Sequence, residues 1–128
     1  MRNTMKDGKQ VILCVDDDTD MLDALRILIE SFGYTVLTAS SAEDGLKKFK
    51  SEKPDLVIAD LMMEEVDSGT GLARDLKSAG CDVPVFLLSS VGDALRNNAD
   101  YADLSLTGVF QKPVQPDILK RTLKKVLG

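Results

Sequence analysis

The sequence predicts an α/β domain in which a parallel sheet is covered on both faces by helices. Two observations lead to this. Five short apolar runs rich in Val, Ile, Leu and Phe, at residues 11–15, 36–39, 56–59, 83–88 and 108–110, are bounded by turn residues. Segments of helical period lie between them, and such alternation is built from right-handed crossovers that bring successive strands in parallel. A chain of 128 residues suffices for one core and is too short for two ordinary domains. We expect residues 1–9 to be an N-terminal extension and residues 10–128 the domain.

The first run, "VILCV", is apolar throughout, as a strand buried on both faces requires. Met21, Leu22, Leu25, Leu28, Ile29 and Phe32 then recur at steps of one, three and four, which gathers them on one helix face. Asp18 or Thr19 is the expected N-cap, and Gly33 stands where a left-handed residue would end the helix. After the second strand, "SAED" places Asp44 three residues beyond Ser41, a variant of the capping box that starts a second helix with Leu46 and Phe49 inward. The third strand, "DLVIAD", ends in Asp60. A third helix over residues 71–79 is stopped by Gly80. The fourth strand, "VFLLSS", ends in Ser89 and Ser90. The segment "DALRNNADYADL" carries a fourth helix, over residues 92–102, with few large apolar residues and so a face open to a partner. The fifth strand, "GVFQKP", leads to Lys112, and the last helix, residues 115–127, turns Ile118, Leu119, Leu123 and Val126 inward.

Composition narrows the function. A net charge of −5 makes the surface repel nucleic-acid phosphate and anionic lipid, so neither direct nucleic-acid binding nor a membrane partner is expected. No apolar run is long enough to cross a bilayer and "MRNTMKDGKQ" has no apolar signal-peptide core, which predicts a cytoplasmic protein. The absence of histidine excludes His-based triads and His-bearing zinc sites. Cys14 and Cys81 are far apart, lie in or beside apolar segments, and read as reduced packing residues.

In open parallel sheets chemistry collects beyond the carboxyl ends of the strands. Those ends here carry Asp16, Asp17 and Asp18, then Asp60, then Ser89 and Ser90, then Lys112. Adjacent carboxylates leaving a buried strand repel one another unless a cation joins them. Hard oxygen donors without His or Cys suit Mg²⁺, which keeps several waters and takes one or two protein carboxylates. Singly, each residue has an ordinary use: "DDD" as a solvated turn and helix cap, Asp60 in a loop, Ser89 bonded to backbone, Lys112 on the surface. Their delivery to one rim by separate strands is what points to a site.

The pieces "ILCVDDD", "PDLVIADLMM", "VPVFLLSS" and "QKPV", in that order, resemble the CheY-like receiver domain of two-component response regulators over almost the whole chain. The resemblance implies a five-stranded doubly wound sheet of order 2-1-3-4-5, the flavodoxin/CheY-like arrangement. It implies Asp60 as phosphoacceptor, Asp17 as a direct Mg²⁺ ligand, Asp16 as a ligand through water, and the Met62 backbone carbonyl completing the protein's share of the metal shell together with Asp60. Ser89 corresponds to the switch hydroxyl, Lys112 to the cation that pairs with the phosphoryl group, and Pro113 to a commonly cis proline. Met62 and Val91 stand at the positions that overlook the approach of water to the phosphoryl group. The phosphodonor would be a sensor histidine kinase or a phosphotransfer protein, and the target a downstream protein effector or an output domain outside this chain. Such a domain is not an enzyme; it assists only its own phosphorylation and dephosphorylation.

Three positions depart from the family pattern. Val109 stands three before Lys112, where an aromatic residue is usual, so no aromatic rotation is expected on activation. In "DLMMEEVDSGTGL", Glu64 replaces a proline and Gly69 and Gly71 come late, as after a short acidic insertion; Ser90 replaces a small apolar residue. Two other readings remain. "VDDDTD" also resembles the haloacid dehalogenase phosphatase signature, with Asp16 as nucleophile and Asp18 as acid, although Asp20 occupies a Thr or Val position and the chain is short. A receiver-fold binding module that no longer takes a phosphoryl group is the other; the intact Asp16, Asp17, Asp60, Ser89 and Lys112 argue against it.

Overall fold

A computed structural model describes residues 10–60, 75–80, 82–89, 108–111 and 114–127. Five strands, β1 (Val11–Val15), β2 (Thr35–Ala39), β3 (Leu56–Asp60), β4 (Val85–Ser89) and β5 (Gly108–Gln111), form one parallel sheet in the order β2-β1-β3-β4-β5. The helices are α1 (Thr19–Ser31), α2 (Ala42–Glu52) and α3 (Pro116–Leu127). The chain steps from β1 outward to β2 and then returns to the other side of β1 for β3, so strand order reverses between β1 and β3. That crevice is where such sheets bind ligands. The register pairs Val15 with Ala59, so Asp16 and Asp60 leave the crevice as the next residues of neighbouring strands.

Alternation along the strands divides the core in two. Ile12, Cys14, Leu56, Ile58, Phe86, Leu88 and Phe110 pack with Leu22, Leu25 and Ile29 of α1 and Leu119 and Leu123 of α3. Leu13, Val15, Val57, Ala59, Val85 and Leu87 face Leu76 and the half-buried Leu46 and Phe49 of α2. Both faces of β1 and β3 are therefore covered, which is why neither strand carries a polar residue before its terminal acid. At the opposite, amino end of the strands the Asp55 carboxylate accepts the Val11 N–H at 2.8 Å while its own N–H donates to the Val11 carbonyl at 2.7 Å. The Gln10 amide donates to the Leu127 carbonyl at 3.0 Å, joining the start of β1 to the end of α3.

The helix signals resolve as follows. Asp18, not Thr19, caps α1, its Oδ1 accepting the N–H groups of Asp20 and Met21 at 3.0 and 3.3 Å. Gly33 follows α1 at φ +100°, the left-handed stop. The Ser41 Oγ accepts the Asp44 N–H at 3.1 Å, so Ser41 is the cap and α2 begins at Ala42. Its end is unforeseen: Lys53, a residue with a side chain, takes the left-handed conformation at φ 49° immediately before Pro54. Residues 75–78 are helical, Leu76 is buried, and Gly80 at φ +84° ends the segment as expected. Residues 71–74 of that expected helix, the expected helix over residues 92–102, and Cys81 lie outside the described residues.

Three expectations are corrected. β4 begins at Val85 and not at residue 83, because Pro84 has no N–H for the ladder; its carbonyl still accepts the Val57 N–H at 3.0 Å. Leu46 and Phe49 are only half-buried, and the buried residue of α2 is Gly45. Ile118, expected inward, is 46% exposed while Leu119 and Leu123 are fully buried. A helix turns about 100° per residue, so the line of contact through Leu119 and Leu123 leaves Ile118 at its margin. Among the described residues, no helix is long and apolar enough to cross a membrane.

Candidate metal centre

The end of β1 and the end of β3 bring three carboxylates together. One oxygen from each of Asp16, Asp17 and Asp60 lies within 4.8 Å of the others. Asp16 is fully buried, Asp60 is 3% exposed, and Asp17 is exposed to solvent. Two carboxylates at the base and one at the mouth make a cup of hard oxygen donors open to water on one side. The donor set fits Mg²⁺, which retains waters and prefers oxygen, and it lacks the nitrogen or sulfur that zinc would select.

Asp16 is held from two directions. Its N–H donates to the Ala39 carbonyl of β2 at 3.0 Å, and its Oδ1 accepts the Asp18 N–H at 2.9 Å. Asp18 in turn holds the first turn of α1, so the acids of "DDD" have different tasks: Asp16 and Asp17 belong to the cluster and Asp18 to the cap. That division weakens the phosphatase reading, which needs the Asp18 carboxyl as a proton donor. Burial, and secondarily the charge of Asp16, pushes the Cys14 thiol up to about 12, so it stays neutral and serves as packing, as expected.

Ser89 is the last residue of β4; it follows Leu88, which pairs with Asp60, and itself pairs with Gln111. Val109 pairs with Leu87 in β5. Met62, Glu64, Gly69, Gly71, Ser90, Val91, Lys112 and Pro113 lie outside the described residues. Sequence reasoning missed the surroundings of the cluster: the Ala39 carbonyl, and Lys48 of α2, whose ammonium donates to the carbonyl of Thr38 beside it. It also left Asp55 without a task, although an acid directly before a wholly apolar strand signals a buried carboxylate serving backbone N–H groups.

Fold and cluster together define a doubly wound α/β protein with an acidic, oxygen-donor centre at its topological switch point. The chain belongs to the response regulator receiver domain family, whose model matches residues 12–124. It is 33% identical over 119 residues to the probable transcriptional regulator ycf27 of Guillardia theta, covering 93% of this chain and 46% of that protein. It is 36% identical to the transcriptional regulatory protein GlrR of Escherichia coli, covering 91% of this chain and 26% of that protein. The chain thus spans about half or less of the length of these relatives. A response regulator receiver domain from Clostridium thermocellum superimposes with a TM-score of 0.83 at 29% identity, covering 92% of this chain and 94% of that one. The chemotaxis protein CheY4 of Vibrio cholerae, at 23% identity and a TM-score of 0.82 over 92% of this chain and 98% of its own, shares the fold. The chain is accordingly a receiver domain homologous to the response regulators of two-component systems.

Proposed function

We propose that Asp60 accepts a phosphoryl group from a sensor histidine kinase or a phosphotransfer protein in a Mg²⁺-dependent reaction. The observation that carries the reading is the convergence of Asp16, Asp17 and Asp60 at the β1/β3 crevice. In the transfer a carboxylate oxygen of Asp60 attacks phosphorus, the P–N bond of the donor breaks, and the imidazole leaves with its electron pair. Asp16, Asp17, Asp60 and the Met62 carbonyl would hold Mg²⁺, which supplies positive charge to offset the acids and the phosphoryl oxygens. Lys112 adds a second cation, and Ser89 donates its hydroxyl to the transferred group, coupling it to the surface. Residues 10–128 form the receiver and residues 1–9 an extension. The domain is cytoplasmic, it acts on a protein effector or an output domain, and it turns over no substrate other than its own aspartyl phosphate.

Incubation with acetyl phosphate and Mg²⁺ is expected to label the wild type, and labelling is expected to vanish in Asp60→Ala and with EDTA. Label that persists in Asp60→Ala but disappears in Asp16→Ala would favour the phosphatase reading instead.

The phosphoryl group should be long-lived. Hydrolysis needs a water held in line with phosphorus, and such positioning governs rates over orders of magnitude. Met62 and Val91 offer no strong acceptor to orient it. A Met62→Asn, Val91→Glu double variant is therefore expected to shorten the phosphoryl half-life by about tenfold or more; an unchanged half-life would show that these side chains do not control access.

A further inference from the structure

We propose that Lys48 is a positioning residue for the acid cluster: from α2 it pins the carboxyl end of β2, and β2 in turn fixes the backbone of Asp16. The inference rests on the reading of the cluster as a Mg²⁺ centre. The Lys48 ammonium donates to the Thr38 carbonyl, crossing ten residues of sequence from the second turn of α2 back to the strand. The next carbonyl along, that of Ala39, accepts the Asp16 N–H at 3.0 Å. Asp16 passes the constraint on, because its Oδ1 holds the Asp18 N–H at 2.9 Å and so closes the turn that contains Asp17.

The geometry explains why a lysine is used there. Thr38 and Ala39 are the last residues of an edge strand, with β1 on one side and, among the described residues, no strand on the other, so a carbonyl facing away from β1 has no second ladder there to hold it. A long flexible stem can reach it from the helix while the ammonium remains partly hydrated; the Lys48 side chain is 38% exposed. Asp44, one turn earlier at 3.6 Å, offers its carboxylate to the same ammonium and limits its wandering. The Ser41 cap fixes where α2 begins and hence where Lys48 stands.

The test compares Lys48→Met, which keeps the apolar stem and removes the donor, with Lys48→Arg, which restores a cation of similar reach. Mg²⁺ affinity is measured by titrating backbone amide shifts, and the exchange rate of the Asp16 amide is read in the metal-free protein. Loss of an outer partner of a metal ligand commonly weakens binding 10- to 100-fold, and Lys48 acts one step further out, so about three- to tenfold is expected in Lys48→Met. The Asp16 amide should exchange faster in the same variant, with Ile12 and Leu13 unchanged, and Lys48→Arg should recover both. An unchanged Mg²⁺ affinity and Asp16 exchange rate in Lys48→Met would overturn the inference. So would a fall in melting temperature alone, since that is a structural role, or tighter Mg²⁺ binding, since that is a charge effect. A wild type whose Asp17 and Asp60 amides do not respond to Mg²⁺ would overturn the metal-centre reading itself, and the Lys48 inference with it.

Discussion

Replacing Asp60 with asparagine is expected to raise the unfolding free energy of the metal-free protein and to abolish the gain that Mg²⁺ gives the wild type. Asp16 and Asp60 are both buried, and their oxygens lie within 4.8 Å. Two like charges at about 4 Å repel by roughly 4 kcal/mol at the effective dielectric of a protein site. Solvent at the exposed Asp17 side reduces this, so the expected gain is about 1–2 kcal/mol. Asparagine removes one of the charges and brings an N–H₂ donor that the remaining carboxylates can accept. For the wild type, ligand binding to the folded state alone adds ~2.7 kcal/mol at a hundred times the dissociation constant. The order of stabilities should therefore depend on the medium: variant above wild type in EDTA, and the gap closed or reversed in saturating Mg²⁺. Urea unfolding under both conditions measures it. A variant less stable than wild type in EDTA would mean that the cluster is not repulsive when metal-free.

The parts of this molecule that were legible in its sequence share a physical reason. β1 and β3 are covered on both faces, so burial leaves an unbroken apolar run that breaks only where the acids stand, Asp16 just after β1 and Asp60 as the last residue of β3. Asp16, Asp17 and Asp60 could be grouped because the switch point of a parallel sheet dictates where strand ends meet, and the β1/β3 register brings them there. Asp18, Ser41 and Gly33 announced helix ends because their side chains, or the lack of one, act within three residues of themselves. What was not legible acts over longer range. Lys53 adopts a left-handed conformation that sequence preference assigns to glycine, and the element it ends is fixed by tertiary packing. Lys48 finds Thr38 only once α2 has folded back along β2, and Asp55 finds Val11 only across two strands. Periodicity marked the apolar stripe of α3 but not its edge, which depends on how that helix is rotated against the sheet.

That rotation makes two adjacent residues of α3 respond in opposite ways to the same change. Leu119 is fully buried among the residues packed by α1 and the sheet, so Leu119→Ala removes its transfer energy and leaves a cavity. The expected cost is about 3 kcal/mol, within the range for large-to-small core changes. Ile118 is 46% exposed, and truncating it forfeits little packing. Alanine is also the better helix former by a few tenths of a kcal/mol, since it loses no side-chain rotamers in the helix. Ile118→Ala should therefore change stability by less than about 0.5 kcal/mol and in either direction. Urea midpoints of the two variants, taken with equal slopes, make the comparison directly. A loss in Ile118→Ala approaching that in Leu119→Ala would show that Ile118 is covered in the folded protein, as the apolar pattern alone had suggested. A small loss in Leu119→Ala would show that α3 does not seal the face of the sheet formed by Ile12, Ile58 and Leu88. The expected result, a large cost at Leu119 beside almost none at Ile118, fixes α3 against the sheet by its Leu119 and Leu123 line and leaves Ile118 on the outside.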